Sequence, residues 1–215
     1  IQAFKSTQDQ TFLNELVPQF KKDGFQVKEL EELKEDDQRK AAYYYSKILH
    51  PMLTPMVFDG FHSFPIINNK TLTLGVITKV DDKNSKDPYR YSFVQIARNV
   101  PRFFQIERKD GVLMLVPVES IIKANVDKLF KNVDIHSVST FRITRNGDFN
   151  YDDYDEGEVD FIDEIQKKLK KRKTGRVVRL EVQEGISKRL VKMLRKKYRL
   201  EEQNVFVTKG ILDYT

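Results

Sequence analysis

The sequence predicts an α+β fold in which N-terminal helices are followed by a mixed β-sheet domain with packed helices. Three observations lead there. Apolar residues recur at helical spacing up to His50, the apolar period falls to two from residue 71, and beyond Gly175 strands alternate with a strongly amphipathic helix.

Phe12, Leu16 and Phe20 recur every four residues and predict a helix from Gln8 to Lys22, kinked by Pro18 and ended by Gly24. A second helix is expected from Asp36, whose carboxylate can cap free amides, through QRKAAYYYSKIL to His50, before Pro51. In TLTLGVITKV, Leu72, Leu74 and Val76 alternate with Thr71, Thr73 and Gly75, the pattern of a half-buried strand. YSFVQIA follows the polar turn DDKNSKDP as its hairpin partner, and FFQIER and VLMLVP form a second pair around Asp110-Gly111. Pro117 suits the first turn of a helix that Ile121, Ile122, Asn125, Val126, Leu129 and Phe130 continue. DIHSVSTFRITR returns to strand. A helix near Glu158, with Ile162, Ile165 and Leu169 inward, is expected to close at Gly175. RVVRLEVQ then reads as strand, ISKRLVKMLRKKYRL as a helix with Leu190, Val191, Leu194 and Tyr198 inward, and NVFVTKG as a last strand. Residues 1–55 form a helical segment and 56–215 the α+β domain.

Charge is unevenly placed. Asn146 to Gln166 contains nine acidic residues and no basic one, whereas Lys167 to Arg199 contains fifteen basic and two acidic, about +13 against +6 for the chain. Acids at the start and Lys170, Lys171 and Arg172 at the end of the expected helix complement its dipole, at roughly 0.3 to 1 kcal/mol per contact. That accounts for the order of charges on the first helix but not for seven further basic residues from Lys188 to Arg199, among which Lys188, Lys192 and Lys196 are expected to form a basic surface that faces an acidic partner, gathers a polyanion or is simply a solvated helix face. Arg142 and Arg145 lie three apart, on opposite faces of a regular strand. Their bland role is a surface ion pair; planar guanidinium donors also suit phosphate.

Several chemistries are excluded. With no cysteine there is no disulfide framework, thiolate nucleophile or Cys-ligated metal. The three histidines show no HExxH or HxxH pairing, the nine glycines no GxGxxG, and no GK[ST] phosphate loop exists. The acidic run lacks calcium-loop spacing, so no metal site is assigned. No apolar run approaches the roughly 20 residues of a membrane span, no signal peptide is recognisable, and a reducing cytoplasm is expected. Because the chain has no initiator methionine and ends on GILDYT directly after a strand-like run, a piece of a longer protein is expected.

The stretch VPRFFQIERKDGVLMLVPVESIIKANVDKLFKNVDIHSVSTFRITRNGDF resembles the middle, or head, domain of bacterial polyphosphate kinase of the long, histidine-phosphorylating type. It carries VPRF, an L-V-P-x-E-x-I-I helix, LF and FR-x-TRN in order, flanked by Tyr91 to Ala97 before and RVVRLEV with VFVTKGILD after. The first 55 residues resemble the end of the preceding helical region. The resemblance implies a non-catalytic module of an enzyme that reversibly transfers the terminal phosphate of ATP to polyphosphate through a phosphohistidine. ATP and magnesium are implied for the whole enzyme, with no cofactor held by this part. The implied partners are the catalytic and N-terminal domains, further copies through the head domain, and polyphosphate. By position, Arg102 in VPRF and Arg142 and Arg145 in FR-x-TRN are candidates for the anionic chain or interdomain pairing; no catalytic residue carries over. The chain departs from the family pattern after TR, where it reads Asn146-Gly147. The rival reading is an independent nucleic-acid-binding domain built on residues 167–199, which would want exposed aromatics among its cations.

Overall fold

A computed structural model describes residues 2–58, 63–80, 88–146 and 175–214. The expected helix near Glu158, most of the acidic run and its basic end, and the turn DDKNSKD lie outside the described residues.

The chain opens with α1 (Gln2–Thr11), a π-helical turn (Phe12–Leu16) and α2 (Val17–Lys22). Pro18 has no N–H to donate to a carbonyl one turn back, and the π turn just before it accommodates that loss: Val17 N–H donates to Phe12 O instead. The wider turn rotates α2 relative to α1. Phe12 is buried, packing edge-on to Tyr214 at 4.8 Å, whereas Leu16 is exposed, so the expected apolar stripe is broken after its first member. Segment 1–55 also contributes a strand, β1 (Phe25–Val27), before α3 (Glu35–Tyr44) and its continuation through a second π turn (Tyr45–Leu49).

β1 runs parallel to β6 (Leu113–Pro117), which pairs antiparallel with β5 (Phe103–Glu107) in a three-stranded sheet. The main sheet has six strands in the order β2-β4-β3-β7-β8-β9, with β2 (Pro55–Phe58), β3 (Thr73–Lys79), β4 (Tyr89–Gln95), β7 (Asp134–Arg145), β8 (Val177–Gln183) and β9 (Val205–Thr208). Its pairs are antiparallel except β8 with β9. α4 (Val118–Lys123) follows β6, and α5 (Lys188–Tyr198) joins β8 to β9.

Two cores fill the two faces of the main sheet. Leu72, Leu74 and Val94 face a cluster containing Tyr45 and Leu49 of the π turn, Met114 of β6 and Ile121 and Ile122 of α4. On the other face Ile77, Phe93, Phe141 and Leu180 pack beneath Leu190 and Leu194 of α5. β3 is therefore buried on both faces, not one as its alternation suggests: Thr73 is as inaccessible as Leu74, both at 0%. Gly75 is what lets α5 approach, since a Cβ there would lie 2.5 Å from Leu190 Cδ2.

The helix after β6 is shorter than its apolar spacing predicts. Pro117 closes β6 and precedes the helix, and α4 ends at Lys123 because the Asn125 side chain donates to Ile121 O at 2.8 Å, taking a carbonyl that a further turn would need. A single 3₁₀ turn (Val126–Lys128) follows, and Leu129 is half-buried at the edge of its core.

Gly75→Ala is expected to cost about 1 to 3 kcal/mol by overpacking. Leu190→Ala alone should cost about 2 to 5 kcal/mol, and in that background the Gly75→Ala penalty should largely vanish. Denaturant unfolding of the four proteins in the cycle measures this; additive costs would show that Gly75 and Leu190 do not meet.

Candidate functional site

The register of β7 and β8 decides where the candidate arginines go. Phe141, Ile143 and Arg145 share the α5 face of the main sheet, and Arg142 and Thr144 share the opposite face, where Arg142 stands beside Glu181 and Thr144 beside Arg179. A bulge falls between Thr144 and Arg145, but it does not bring the two arginines together.

On the Arg142 face the strands line an open pocket of about 760 Å³. Arg102, just before β5, meets Arg142 here, with Lys70, Arg98 and Arg179 also in the wall, against the carboxylates of Glu181 and Asp213. The excess of cations suits an anion, yet the two deepest guanidinium groups are already neutralised. Arg142 donates through Nε and Nη2 to the two Glu181 oxygens at 2.8 and 3.1 Å, and its Nη1 lies 3.3 Å from Asp213 Oδ1. Arg102 makes a two-pronged pair with Glu119 of α4, with Nη2 donating to Oε1 at 2.6 Å, and its Nε donates to Asp213 O at 3.1 Å. Fork-to-fork pairs of this kind fix orientation as well as charge. Asp213 is the shared and weaker partner, at 20% side-chain exposure against 3% for Glu181.

The same neighbourhood ties in α1. Asp9 is buried and accepts from Lys209 N–H at 2.8 Å and from Tyr214 Oη at 2.9 Å, and Lys5 lies within 3.8 Å of it. Burial holds the Lys5 ammonium below its ordinary pKa, partly offset by Asp9.

Arg145 has a different task. Its Nε and Nη2 donate to Ile67 O at 3.2 and 3.0 Å and its Nη1 to Gly175 O at 2.8 Å, while its guanidinium lies 5.8 Å from the Tyr198 ring. It closes two carbonyls at the end of the sheet.

Lys188, Lys192 and Lys196 repeat every four residues along α5, are exposed, and have no ion-pair partner among the described residues. Other cations of the helix cover aromatic rings: Arg189 lies 4.1 Å from the Tyr89 ring centroid and Lys197 4.4 Å from that of Phe58. α5 and the Arg142 pocket stand on opposite faces of the main sheet, so the helix neighbours Arg145 and not Arg142. Among the described residues no three histidine or carboxylate side chains come together as metal ligands, and no helix is long and apolar enough to cross a membrane.

Glu119, Glu181 and Asp213 are not evident as site residues from the sequence. Glu181 carries a signal, as one of two acids within the basic run; Asp213 carries none.

Fold and site together define an α+β module whose two deepest guanidinium groups, those of Arg102 and Arg142, are paired with carboxylates of the same chain. Comparison with known proteins gives its family. The profile of the polyphosphate kinase middle domain matches residues 36–215, and the chain belongs to that family. It is 34% identical over 97% of its length to polyphosphate kinase of Halalkalibacterium halodurans and spans 29% of that protein. It is 29% identical over 94% of its length to polyphosphate kinase of Dictyostelium discoideum, spanning 18%. The crystal structure of polyphosphate kinase from Porphyromonas gingivalis superposes with a TM-score of 0.72 over 98% of this chain and 30% of that one, at 14% identity, which is a likeness of fold.

Both the Arg142–Glu181 pair and the half-buried Tyr198, whose hydroxyl oxygen is out of water, bear on stability. Glu181→Gln leaves Arg142 with only the more exposed Asp213 and Arg179 without its buried carboxylate, and should cost about 3 kcal/mol in denaturant unfolding; a loss below about 1 kcal/mol would show that the pair is solvated. Tyr198 is pushed up to about 12 by burial, and its hydroxyl has no hydrogen-bond partner among the described residues. With the folded value above the unfolded one of about 10, stability is full below pH 10 and falls as pH rises through 12. Tyr198→Phe should flatten that alkaline loss while leaving neutral-pH stability within about 1 kcal/mol, as pH-dependent melts will show.

Proposed function

We propose that this chain is the non-catalytic middle module of a polyphosphate kinase that reversibly moves the terminal phosphate of ATP onto polyphosphate through a phosphohistidine. The chain spans less than a third of the relatives it matches, and the histidines of the transfer lie in polypeptide outside it. ATP and magnesium belong to the whole enzyme. The described residues bring together no carboxylate cluster that fits magnesium. The module's part is assembly with the enzyme's other domains and further copies, and the basic surroundings of the polyphosphate path.

One observation carries the polyanion role: Lys188, Lys192 and Lys196 present a row of exposed charge on α5 with no ion-pair partner among the described residues, on the same face of the sheet as Arg145. Polyphosphate carries about one charge per residue, so such a row attracts it over a distance of about a Debye length, near 10 Å at 0.1 M salt. Arg102 and Arg142, held by Glu119 and Glu181, serve first to lock the module together, and an anion would have to compete with Asp213 for Arg142. A nucleic-acid role is less well supported. Tyr198, the one aromatic on α5, turns its ring against Phe64 at 5.5 Å and offers no stacking platform.

In the full-length enzyme, Lys192→Glu with Lys196→Glu should raise the KM for polyphosphate several-fold at low salt, with the difference shrinking as salt rises. A change in oligomer mass with unchanged KM would assign the row to assembly instead. Unchanged kinetics and unchanged mass would reject both roles. The 215-residue chain alone should neither make polyphosphate nor form ATP from it.

A further inference from the structure

α3 and the π turn after it carry two adjacent stripes, Arg39–Tyr43–Lys47, with a ring between two cations, and Lys40–Tyr44–Ile48, a cation followed by aromatic and apolar surface. Tyr44 lies flat on Phe104 of β5, with ring centroids 4.6 Å apart and planes 19° from parallel. Together these residues line a shallow groove of about 630 Å³ with an apolar floor and a cationic rim. Its apolar members are costly to leave in water: Tyr43 is 66% and Ile48 48% exposed. Phe104 belongs to β5, an outer strand of the three-stranded sheet, so a strand edge with no partner strand among the described residues runs beside the floor.

The rim sets the charge of a fitting partner. Lys47 has no partner among the described residues, Lys40 meets Asp37 with its own side chain 57% exposed, and Arg39 meets Asp36 at the open surface. The exposed Arg39–Asp36 pair exchanges partners at little cost, whereas Asp37 is buried and also held by Arg108, so Lys40 contributes to the rim through its exposed side chain without giving up that partner. Tyrosine and arginine in this arrangement are the residue types that dominate binding at protein interfaces.

We propose that this groove docks a segment of the polyphosphate kinase polypeptide lying outside this chain, which sets an aromatic or aliphatic anchor on Tyr43, Tyr44 and Phe104 and faces Arg39, Lys40 and Lys47 with carboxylates. The occupant follows from length and charge. The chain spans 29% of its Halalkalibacterium relative and 30% of its Bacillus cereus relative, so most of such a polypeptide lies elsewhere, and a second basic surface would be repelled by this rim. The proposal rests on the reading of the chain as the middle module of that enzyme.

Tyrosine nitration followed by peptide mapping tests it, on the 215-residue chain and on the full-length enzyme. Tyr43 should react at least tenfold more slowly in the full-length enzyme, and Lys47→Glu should return most of that reactivity. A photo-crosslinker at position 48 of the full-length enzyme should capture a peptide from outside this chain that carries Asp or Glu. Equal reactivity of Tyr43 in the two proteins overturns the proposal. So does capture confined to residues of this chain, whether within one copy or between copies of the module, and so does protection that appears only when a nucleotide is added. Polyphosphate synthesis by the same full-length preparation separates the two readings. Synthesis with an unprotected Tyr43 removes the docking alone, whereas a protected Tyr43 without synthesis removes the enzymatic reading and leaves the docking.

Discussion

Because β3 has a core on each side, every residue from Thr73 to Thr78 is out of water, and its neighbours must satisfy both its backbone and its side chains. β4 and β7 take its backbone hydrogen bonds on the two edges. Its faces then need separate covers. α5 closes one, and it can do so because Gly75 offers no Cβ where Leu190 enters. The π turn after α3, α4 and the three-stranded sheet close the other. A strand with polar alternation at Thr71, Thr73 and Thr78 is thus drawn inside by the layers on either side of it.

The same two-sidedness sorts the charges. On β7, odd positions from Phe141 feed the aromatic core under α5, and even positions face the pocket where a buried arginine needs a buried carboxylate. Arg142 and Glu181, directly opposite across two strands, meet that need, and Arg102 with Glu119 repeats it between β5 and α4. Such pairs add little net stability over apolar residues of the same shape, but losing one partner is expensive. Their main effect is to hold one arrangement of sheet, helix and C-terminal segment, since Asp213 is gripped by both arginines. Among the described residues, the cations without a buried carboxylate partner include the lysine row on α5 and, beside Tyr43, Lys47 and the exposed Arg39.

Part of the site was legible before any coordinates. The spacing of Arg142 and Arg145 places them on opposite faces, and the structure keeps them there despite the bulge. The stripe of Lys188, Lys192 and Lys196 follows from helical period alone. Glu181 as the partner of Arg142 was hidden, because the two are 39 residues apart and meet only through the β7–β8 register. Arg145 as a cap for the carbonyls of Ile67 and Gly175 was hidden for the same reason. The groove at Tyr43 was hidden differently: three consecutive tyrosines spread around a helix, and only the π turn and Phe104 decide which rings are covered.

Taken alone, the sequence determines the class of fold, the order of most strands, the amphipathic helix α5 and the family motifs, because local periodicity and turn chemistry are properties of neighbouring residues. Long-range packing decides the rest. It ends the helix after Pro117 at Lys123, draws β1 out of the helical segment into a sheet, and buries the polar face of β3. It also chooses which arginines are neutralised by buried carboxylates within the module. Those outcomes depend on which residues meet across the sheet, where burial of a charge without a partner costs more than any local preference contributes.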